Sequence, residues 1–365
     1  MRTILAIIIA FHGIIHFMGF AKAFNLMEIS QLTQQITKPA GVLWLIAGLL
    51  FVLVAVLFFF NKDWWWMPAM VAIILSQALI VISWQDAKFG TIANIIVLVA
   101  VIAGFGAWNF HRSFVNDYRE GLARTSVIPS NLLTNRDIQH LPLPVQRYLR
   151  YAGVLNREKV HNVKVIFTGQ MREKGKDWFQ LRSIQYNFFE IPTRLFYMTG
   201  KIKGLTVPGY HAYKNGNASM QIKIFGMFPV VDLKDGSLNQ AETVTFFNDM
   251  CLIAPASLID NRIKWEEADS LSAKATFTCN GITISATLYF NEADQLVNFI
   301  SDDRYAITGK TAQKIRFSTP VHAYKTINGI NICSNADVVW HYPEGEFVYG
   351  KFILETIEYN VRPGN

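Results

Sequence analysis

Two hydrophobic patterns divide the chain. Residues 3–20, 40–60, 67–84 and 91–110 are almost uninterrupted apolar runs. Each comes close to the roughly 20 helical residues that cross a hydrocarbon core of ~30 Å. The second run contains no charged residue, which is unusual for a helix of a soluble protein. We therefore predict four transmembrane helices within the first 110 residues.

Polar side chains interrupt these predicted spans. His12 and His16 lie four residues apart and so on one helical face, and Gln77 and Asn94 on later spans are their expected partners. A polar group in hydrocarbon is costly without a partner. The first interpretation of this intramembrane cluster is hydrogen bonding that fixes helix packing. The alternative, a haem, metal or proton site, is less favoured because the four spans contain no acidic residue.

After residue 158 the hydrophobic period changes to two, as in half-buried strands. In residues 271–290 two alternating runs flank Asn280-Gly281, a strong signal for a two-residue hairpin turn. This turn pairs Phe277 with Ile284, both on the apolar face. Two further hairpins are predicted in the same way, at Asn215-Gly216 and Asn328-Gly329.

The second half combines many strands with one internal helix, predicted over residues 241–254 and ended by Pro255. About a dozen strands exceed what one flat sheet usually holds. We predict an α+β domain in which a strongly curved antiparallel sheet wraps around one or two helices. The expected domains are 1–110 in the membrane, a helical connector at 111–158, and the β-rich domain at 159–365. Such a curved sheet has an interior that can hold a ligand.

Charge adds little to this picture. The net charge of +7 divides into +2 for residues 1–110 and +5 for the remainder, with no arginine-rich run. This does not favour nucleic-acid binding, whereas it suits anionic lipid headgroups. Four spans place both ends on one side, and the flanking Lys and Arg residues then number five on that side against three on the other. The positive-inside rule then predicts a multi-pass membrane protein with a cytoplasmic β-rich domain.

The sequence contains no recognisable catalytic or metal-binding motif. Cys251, Cys279 and Cys333 form no CxxC pair and have no zinc-ligand spacing with histidine. We expect reduced thiols, no metal and no cofactor. Asp302 and Asp303 point to opposite faces of a strand, and Asp302 with Arg304 is expected to form a surface ion pair.

Candidate ligand-binding residues are polar or aromatic side chains near the expected interior or its rim. They are Arg147, Tyr148, Glu242, Asp303, Arg304, Trp340 and Glu344. Tyr148 is also expected to point from its helix into the hydrophobic core. The aromatic side chains of the second half could line an apolar cavity or simply fill the core.

Several segments resemble an uncharacterised bacterial family with a membrane-anchoring N-terminus and a domain of unknown function. They are FHGIIHFMGFAKAF, WQDAKFGTIANI, LPLPVQRYLRYAGV, FNDMCLIAPASLID and LVNFISDDRY. The resemblance extends over most of the chain and implies no activity. In outline, the β-rich half is also similar to lipoprotein-localisation carriers, whose curved sheet closes around a lipid-binding cavity.

Three functions are consistent with these observations. The first is a module that binds a lipid or other apolar ligand at the bilayer surface. The second is an enzyme, such as a hydrolase, that acts on a membrane-derived substrate through Glu242, Asp303, Arg304 or Glu344 in a cleft. The third is a non-catalytic membrane scaffold with an exposed apolar patch and no cavity. Binding is favoured over catalysis because no catalytic motif is present.

Overall fold

The fold is seen in a computed structural model that describes residues 2–202, 204–308 and 311–364. The chain forms two compact units. The first runs to His111 and also includes Phe225–Met227, whereas the second contains Arg112–Ile224 and continues from Phe228. The predicted helical connector at 111–158 belongs almost entirely to this second unit.

The first unit is helical because its sequence is apolar and poor in helix breakers. Its helices are α1 (Arg2–Ala23), α2 (Lys38–Phe59), α3 (Trp66–Ile82), α4 (Trp84–Ala87) and α5 (Gly90–Thr125). Thr37 begins α2 by accepting a hydrogen bond from the backbone N–H of Ala40. The last helix, α5, continues without a break into the second unit.

Among the residues that the structure describes, three helices rather than four are long and apolar enough to cross a membrane: α1, α2 and α5. The prediction of four spans is therefore corrected. The remaining apolar helix, α3, has 17 residues and is about 26 Å long at 1.5 Å per residue, short of the ~30 Å hydrocarbon core. It ends at Ile82, before Ser83. The prediction that the β-rich domain is cytoplasmic assumed four spans, and it loses that basis.

A buried hydrogen-bond network joins α1, α3 and α5 within the first unit. The Nε2 atom of His12 donates to Asn94 Oδ1 at 2.9 Å, and His16 Nε2 lies 2.8 Å from Ser76 Oγ. The amide of Asn94 also donates to Ser76 Oγ and to Gln77 Oε1, each at 3.0 Å. The predicted cluster is thus brought together, with Ser76 as an additional member. Its contacts are those of helix packing.

Replacing Asn94 by alanine is expected to lower the unfolding free energy of the helical unit by about 1–2 kcal/mol, because it removes several interhelical hydrogen bonds at once. Titration of the full chain with sodium dodecyl sulfate would measure the change. The control is Ile95→Ala on the same helix, where the side chain is 55% exposed. Equal losses for the two variants would contradict a stabilising role for the network.

The second unit contains the end of α5, three further α-helices and the strands. The helices are α6 (Asn135–Ile138), α7 (Leu143–Ala152) and α8 (Gly236–Ile253), and a 3₁₀ turn follows at Pro255–Ile259. The strands are β1 (Asn162–Met171), β2 (Phe179–Phe188), β3 (Thr193–Ile202), β4 (Leu205–Lys214), β5 (Asn217–Ile224), β6 (Phe228–Leu233), β7 (Ile263–Asp269), β8 (Ser272–Cys279), β9 (Ile282–Phe290), β10 (Leu296–Ser301), β11 (Tyr305–Thr308), β12 (Thr311–Lys314), β13 (Arg316–Ser318), β14 (Val321–Ile327), β15 (Ile330–Tyr342) and β16 (Gly345–Tyr359).

The main sheet has 14 antiparallel strands in the described residues. Its order is β6-β5-β4-β3-β2-β1-β16-β15-β13-β10-β9-β8-β7, with β14 pairing beside β15. Two meanders therefore meet where β1 pairs with β16. The strands β11 and β12 form a separate two-stranded sheet. The predicted antiparallel sheet is confirmed, with a few more strands than expected.

All three predicted Asn-Gly hairpins are present. Both residues of each turn have positive φ, for example 48° at Asn280 and 78° at Gly281, as a type I′ turn requires. The predicted pairing of Phe277 with Ile284 is also confirmed. The two-residue turn and the alternating pattern together set the register of this hairpin, because a slip by one residue would expose every apolar side chain.

The sheet curls around α8. This helix joins the two edge strands, β6 and β7, and contacts β4 and β5 as well as β9 and β10. These two pairs of strands lie near opposite edges of the sheet, so they can contact the same helix only if the sheet is bent. The helix begins five residues earlier than predicted because Asp235 accepts a hydrogen bond from the backbone N–H of Leu238 at 2.7 Å.

Candidate functional site

A cavity of about 620 Å³ lies in the second unit between α8 and the concave face of the sheet. It is lined mainly by β1–β6, β15 and β16. On the other side of α8 the interior is filled, since Phe247, Phe277 and Phe299 are fully buried and in ring contact. The curved sheet is therefore packed around one half of the helix and left open around the other.

Most of the cavity wall is apolar. The side chains that give it this character include Phe196, Met198, Met220, Ile222, Trp340 and Phe352. The cavity volume lies within the ~300–1,000 Å³ of typical small-molecule sites, which likewise combine apolar walls with a few polar groups.

Strand alternation decides which side chains face α8. On β2, Gln185 and Asn187 point to the concave side and donate hydrogen bonds to Asp249 of α8. Tyr186 points to the opposite side, where its ring stacks on Tyr118 of α5 with centroids 4.6 Å apart. Because successive strand residues face opposite ways, one strand supplies polar groups to the interior and aromatic groups to the outer helix.

A buried ionic cluster occupies the helix side of the cavity. Arg194 of β3 donates from Nη1 to Glu242 Oε2 at 3.0 Å and from Nε to Asp249 Oδ2 at 2.8 Å. Arg194 is 8% and Glu242 4% exposed. The two acids are seven residues apart on α8, which is nearly two helical turns, so both face the same strand. Isolated, each of these charges would be costly in this position.

The pKa directions follow from this geometry. Burial by itself would raise the pKa of Glu242, but the Arg194 guanidinium and His211 outweigh it, so that its pKa falls to about 2. Burial also raises the pKa of Asp249, and there the opposing effects of Arg194 and Asn187 are too small to reverse it. The two carboxyl groups thus share one arginine and differ in acidity.

Arg304 forms a second cationic position on the cavity wall. Its Nε donates to Thr245 Oγ1 at 3.2 Å and its Nη1 to the Tyr349 hydroxyl at 2.9 Å. The guanidinium lies 4.4 Å from the centroid of the Phe317 ring and 4.8 Å from that of Trp340. These contacts hold the cation by hydrogen bonds and by the faces of aromatic rings.

Two polar side chains at the cavity have unused hydrogen-bonding capacity. His211 Nε2 and Asn248 Oδ1 are buried and, among the described residues, have no hydrogen-bond partner. His211 Nδ1 lies 4.0 Å from Glu242 Oε1, whereas the amide of Asn248 donates to Thr319. An unpaired buried polar group costs about 1–3 kcal/mol. A ligand or water at this wall would therefore find groups ready to pair.

Three of the predicted ligand-binding residues meet at the cavity. Glu242, Arg304 and Trp340 line it from α8, from the segment between β10 and β11, and from β15. They are far apart in sequence, and the curl of the sheet brings them together. Their role in binding stays a prediction.

The other four lie elsewhere. The hydroxyl of Tyr148 donates to the carbonyl of Cys251 at 2.8 Å in the core, where the side chain is fully buried. Arg147 pairs with Asp294 at 2.8 Å. Asp303 accepts from the backbone N–H of Ser285, and Glu344 pairs with Lys174.

The expected ion pair between Asp302 and Arg304 is wrong. Strand β10 ends at Ser301, so the alternation on which the pairing relied stops there. Asp302 instead pairs with Arg316 at 2.7 Å, and Arg304 turns to the cavity.

Arg194 and Asp249 are the main site residues that the sequence analysis did not single out. A signal was present in both. Arg194 is a cation within the apolar strand TRLFYMT, and lysine and arginine are rarely buried unless paired. Asp249 lies seven residues after Glu242 in a helix of which most side chains are buried, a spacing that places both carboxylates on one face.

Residues 131–352 match the model of a protein family of unknown function, DUF6544. The matched segment contains α7, α8, the cavity and nearly the whole sheet. No curated protein sequence matches the chain.

Two solved structures are similar in fold. A domain named for outer membrane lipoprotein sorting, from Vibrio parahaemolyticus, has 8% identity and a TM-score of 0.34, covering 56% of this chain and 86% of that one. A LolA superfamily protein from Nitrosomonas europaea has 8% identity and a TM-score of 0.36, covering 60% and 94%. The expected likeness to lipoprotein-localisation carriers is thus found.

Proposed function

The chain belongs to the DUF6544 family of unknown function, and from its cavity we propose that the β-rich unit binds an amphipathic ligand with an apolar chain, such as a membrane lipid. The observation that carries this proposal is the cavity of about 620 Å³, with apolar side chains along the sheet and charged groups along α8. A ligand with one apolar part and one polar part matches such a wall.

The energetics favour a ligand over an empty space. Each Å² of apolar cavity surface that a bound chain covers contributes about 25 cal/mol of favourable free energy. His211 and Asn248 add polar atoms that lack partners among the described residues. A bound amphiphile would satisfy both kinds of group in one position.

The enzyme alternative is supported less well. It predicts that some of the carboxylates of Glu242, Asp303 and Glu344 lie close together in a cleft, yet of these only Glu242 lines the cavity. Glu242 is held by Arg194 at 3.0 Å, which leaves its carboxylate committed to an ion pair. The scaffold alternative predicted an interior without a cavity, and the volume beside α8 counts against it.

The proposal also includes the membrane. Three apolar helices long enough to span one precede the β-rich unit, which suits a protein that takes its ligand from a bilayer. We place the chain in the bacterial inner membrane as part of this proposal. A basic balance of +5 over residues 111–365 is compatible with anionic lipid headgroups nearby.

Filling the cavity should abolish binding. Ile222→Trp places a larger ring among the lining side chains, and we expect at least tenfold less ligand bound, because the chain and the ring would compete for one volume. The full chain in phosphatidylcholine nanodiscs would be irradiated with a diazirine-bearing hexadecanol. Mass spectrometry of the cross-linked peptides would then give both the site and its occupancy.

The matched control is Ile353→Trp. Ile353 is 48% exposed and does not line the cavity, so that variant should be labelled like the natural protein. Circular dichroism would check that both variants are folded. Cross-links scattered outside the cavity, or equal labelling of the two variants, would count against the proposal.

A further inference from the structure

Two arginines at the cavity lack a carboxylate partner. Among the described residues no carboxylate oxygen lies within 4.0 Å of a nitrogen of Arg304 or of Arg172. By contrast, Arg194 is paired with two acids, Arg262 with Asp260 and Arg147 with Asp294. A cation held in a partly dry site without its counterion is unusual.

The two cations stand over one pair of aromatic rings. Trp340 of β15 and Phe347 of β16 are directly opposite each other in the sheet. Arg304 lies 4.8 Å from the Trp340 centroid and Arg172 lies 4.9 Å from the Phe347 centroid. Both arginines and both rings line the cavity. This cross-strand pair therefore marks the part of the sheet wall to which both arginines bring positive charge, and Glu173 and Lys174, which follow Arg172, line the cavity as well.

Arg304 has donors to spare. A guanidinium carries five N–H groups in a fixed fork, and Arg304 uses two of them, on Thr245 and Tyr349. The other three have no acceptor among the described residues. The charge of Arg304 helps to lower the pKa of Glu242, but that carboxylate accepts its hydrogen bond from Arg194, at 3.0 Å, and none from Arg304. An oxyanion arriving from the cavity could accept two parallel bonds from this fork.

Resting on the proposed function, we infer that Arg304, with Arg172 as a second cation, binds the anionic head group of a single-chain amphiphile. The head group is a carboxylate or a phosphate monoester, and the chain lies along the apolar wall that includes Phe196 and Ile222. The cavity volume of about 620 Å³ is that of a site for one small molecule, ~300–1,000 Å³. That volume suits one long chain with a small head better than a two-chain phospholipid.

Competition experiments separate the head group from the chain. Palmitate, hexadecyl phosphate and hexadecanol would each displace the diazirine-bearing hexadecanol from the full chain in nanodiscs, with empty nanodiscs correcting for partition into lipid. We expect at least one anion to bind ten times or more tighter than the alcohol. The comparison of palmitate with hexadecyl phosphate tells which oxyanion is preferred.

Arg304→Gln should remove that preference and leave binding of the alcohol within about twofold. The matched control is Arg316→Gln, since Arg316 is exposed, pairs with Asp302 and does not line the cavity. An Arg172→Gln, Arg304→Gln double variant should bind all three competitors equally. If Arg304→Gln does not fold, the comparison of anion with alcohol in the natural protein still tests the inference.

The outcomes are distinct. Equal binding of anions and alcohol by the natural protein would overturn the head-group inference while leaving the apolar cavity in place. A preference that survives Arg304→Gln would also overturn it. Failure of all three competitors to displace the probe, or failure of the probe to label the cavity, would instead remove the proposed function itself.

Discussion

Replacing Arg194 by methionine is expected to lower the unfolding free energy of the β-rich unit by about 3–5 kcal/mol at pH 7. The variant keeps much of the side-chain volume but leaves Glu242 and Asp249 buried without their cation, and breaking a buried pair by removing one partner has a cost of this size. Gln185 and Asn187 would still donate to Asp249, but neutral donors do not replace a positive charge.

The sign of the pH dependence tests the same point. In the natural protein, the lowered pKa of Glu242 adds stability that is present above about pH 4.5 and is lost as the pH falls toward about 2. Without Arg194, burial is opposed only by the weaker effects of the remaining neighbours, so the pKa of both carboxyl groups should rise. Each then takes up a proton on acidification, so the deficit of the variant should be largest at pH 7 and should shrink toward pH 4.

Hydrogen exchange read by mass spectrometry would measure the effect on β2, β3 and α8 of the full chain. Arg316→Met is the control, because that arginine is 56% exposed in its pair with Asp302, and exposed pairs contribute less than about 1 kcal/mol. A deficit of similar size in both variants, or one that grows on acidification, would show that the cluster does not stabilise the unit as described.

Truncating Phe247 to alanine should be about as damaging, at about 3–5 kcal/mol. Phe247 of α8 is fully buried, and its ring stacks on Phe277 with centroids 5.3 Å apart while its edge contacts Phe299 at 5.8 Å. It anchors the filled side of the helix to β8 and β10. Its loss leaves a hole that the surrounding strands cannot easily close.

Exchange protection of β8, β9 and β10 would report this loss, and Phe247→Leu should recover most of it because leucine refills much of the volume. Phe228→Ala provides the control, since that ring is 60% exposed and its removal should change stability by less than about 0.5 kcal/mol. If Phe247→Ala and Phe228→Ala behaved alike, α8 would not be held by this contact.

Local features were accurately predicted wherever the relevant interaction is short in range. The hairpin at Asn280-Gly281 and the pairing of Phe277 with Ile284 follow from turn geometry and from the period of two. The helix α8 was expected, with an error only at its start, where a loop residue, Asp235, provides the cap. The errors appear where length or direction changes, at the 17-residue α3 and at the end of β10.

The site was predicted only in part. Glu242, Arg304 and Trp340 were singled out for their residue type, but nothing local distinguishes them from Arg147, Asp303 or Glu344. Arg304 belongs to the site because β10 stops three residues before it, which turns its side chain inward. The seven-residue spacing of Glu242 and Asp249 was visible in the sequence. Their shared partner on a separate strand was not.

The sequence by itself determined what short-range chemistry determines: apolar helices at the N-terminal end, alternating strands after residue 158, three tight turns and a family match. The curl of the sheet around a helix was also predicted, but the tertiary structure alone decided that one side of α8 is packed and the other left open, and that Arg194, Glu242 and Asp249 meet at the open side. The physical reason is distance along the chain. Local conformation depends on a few neighbouring residues, whereas a cavity and a buried ion cluster depend on contacts between residues 45 or more positions apart in the sequence.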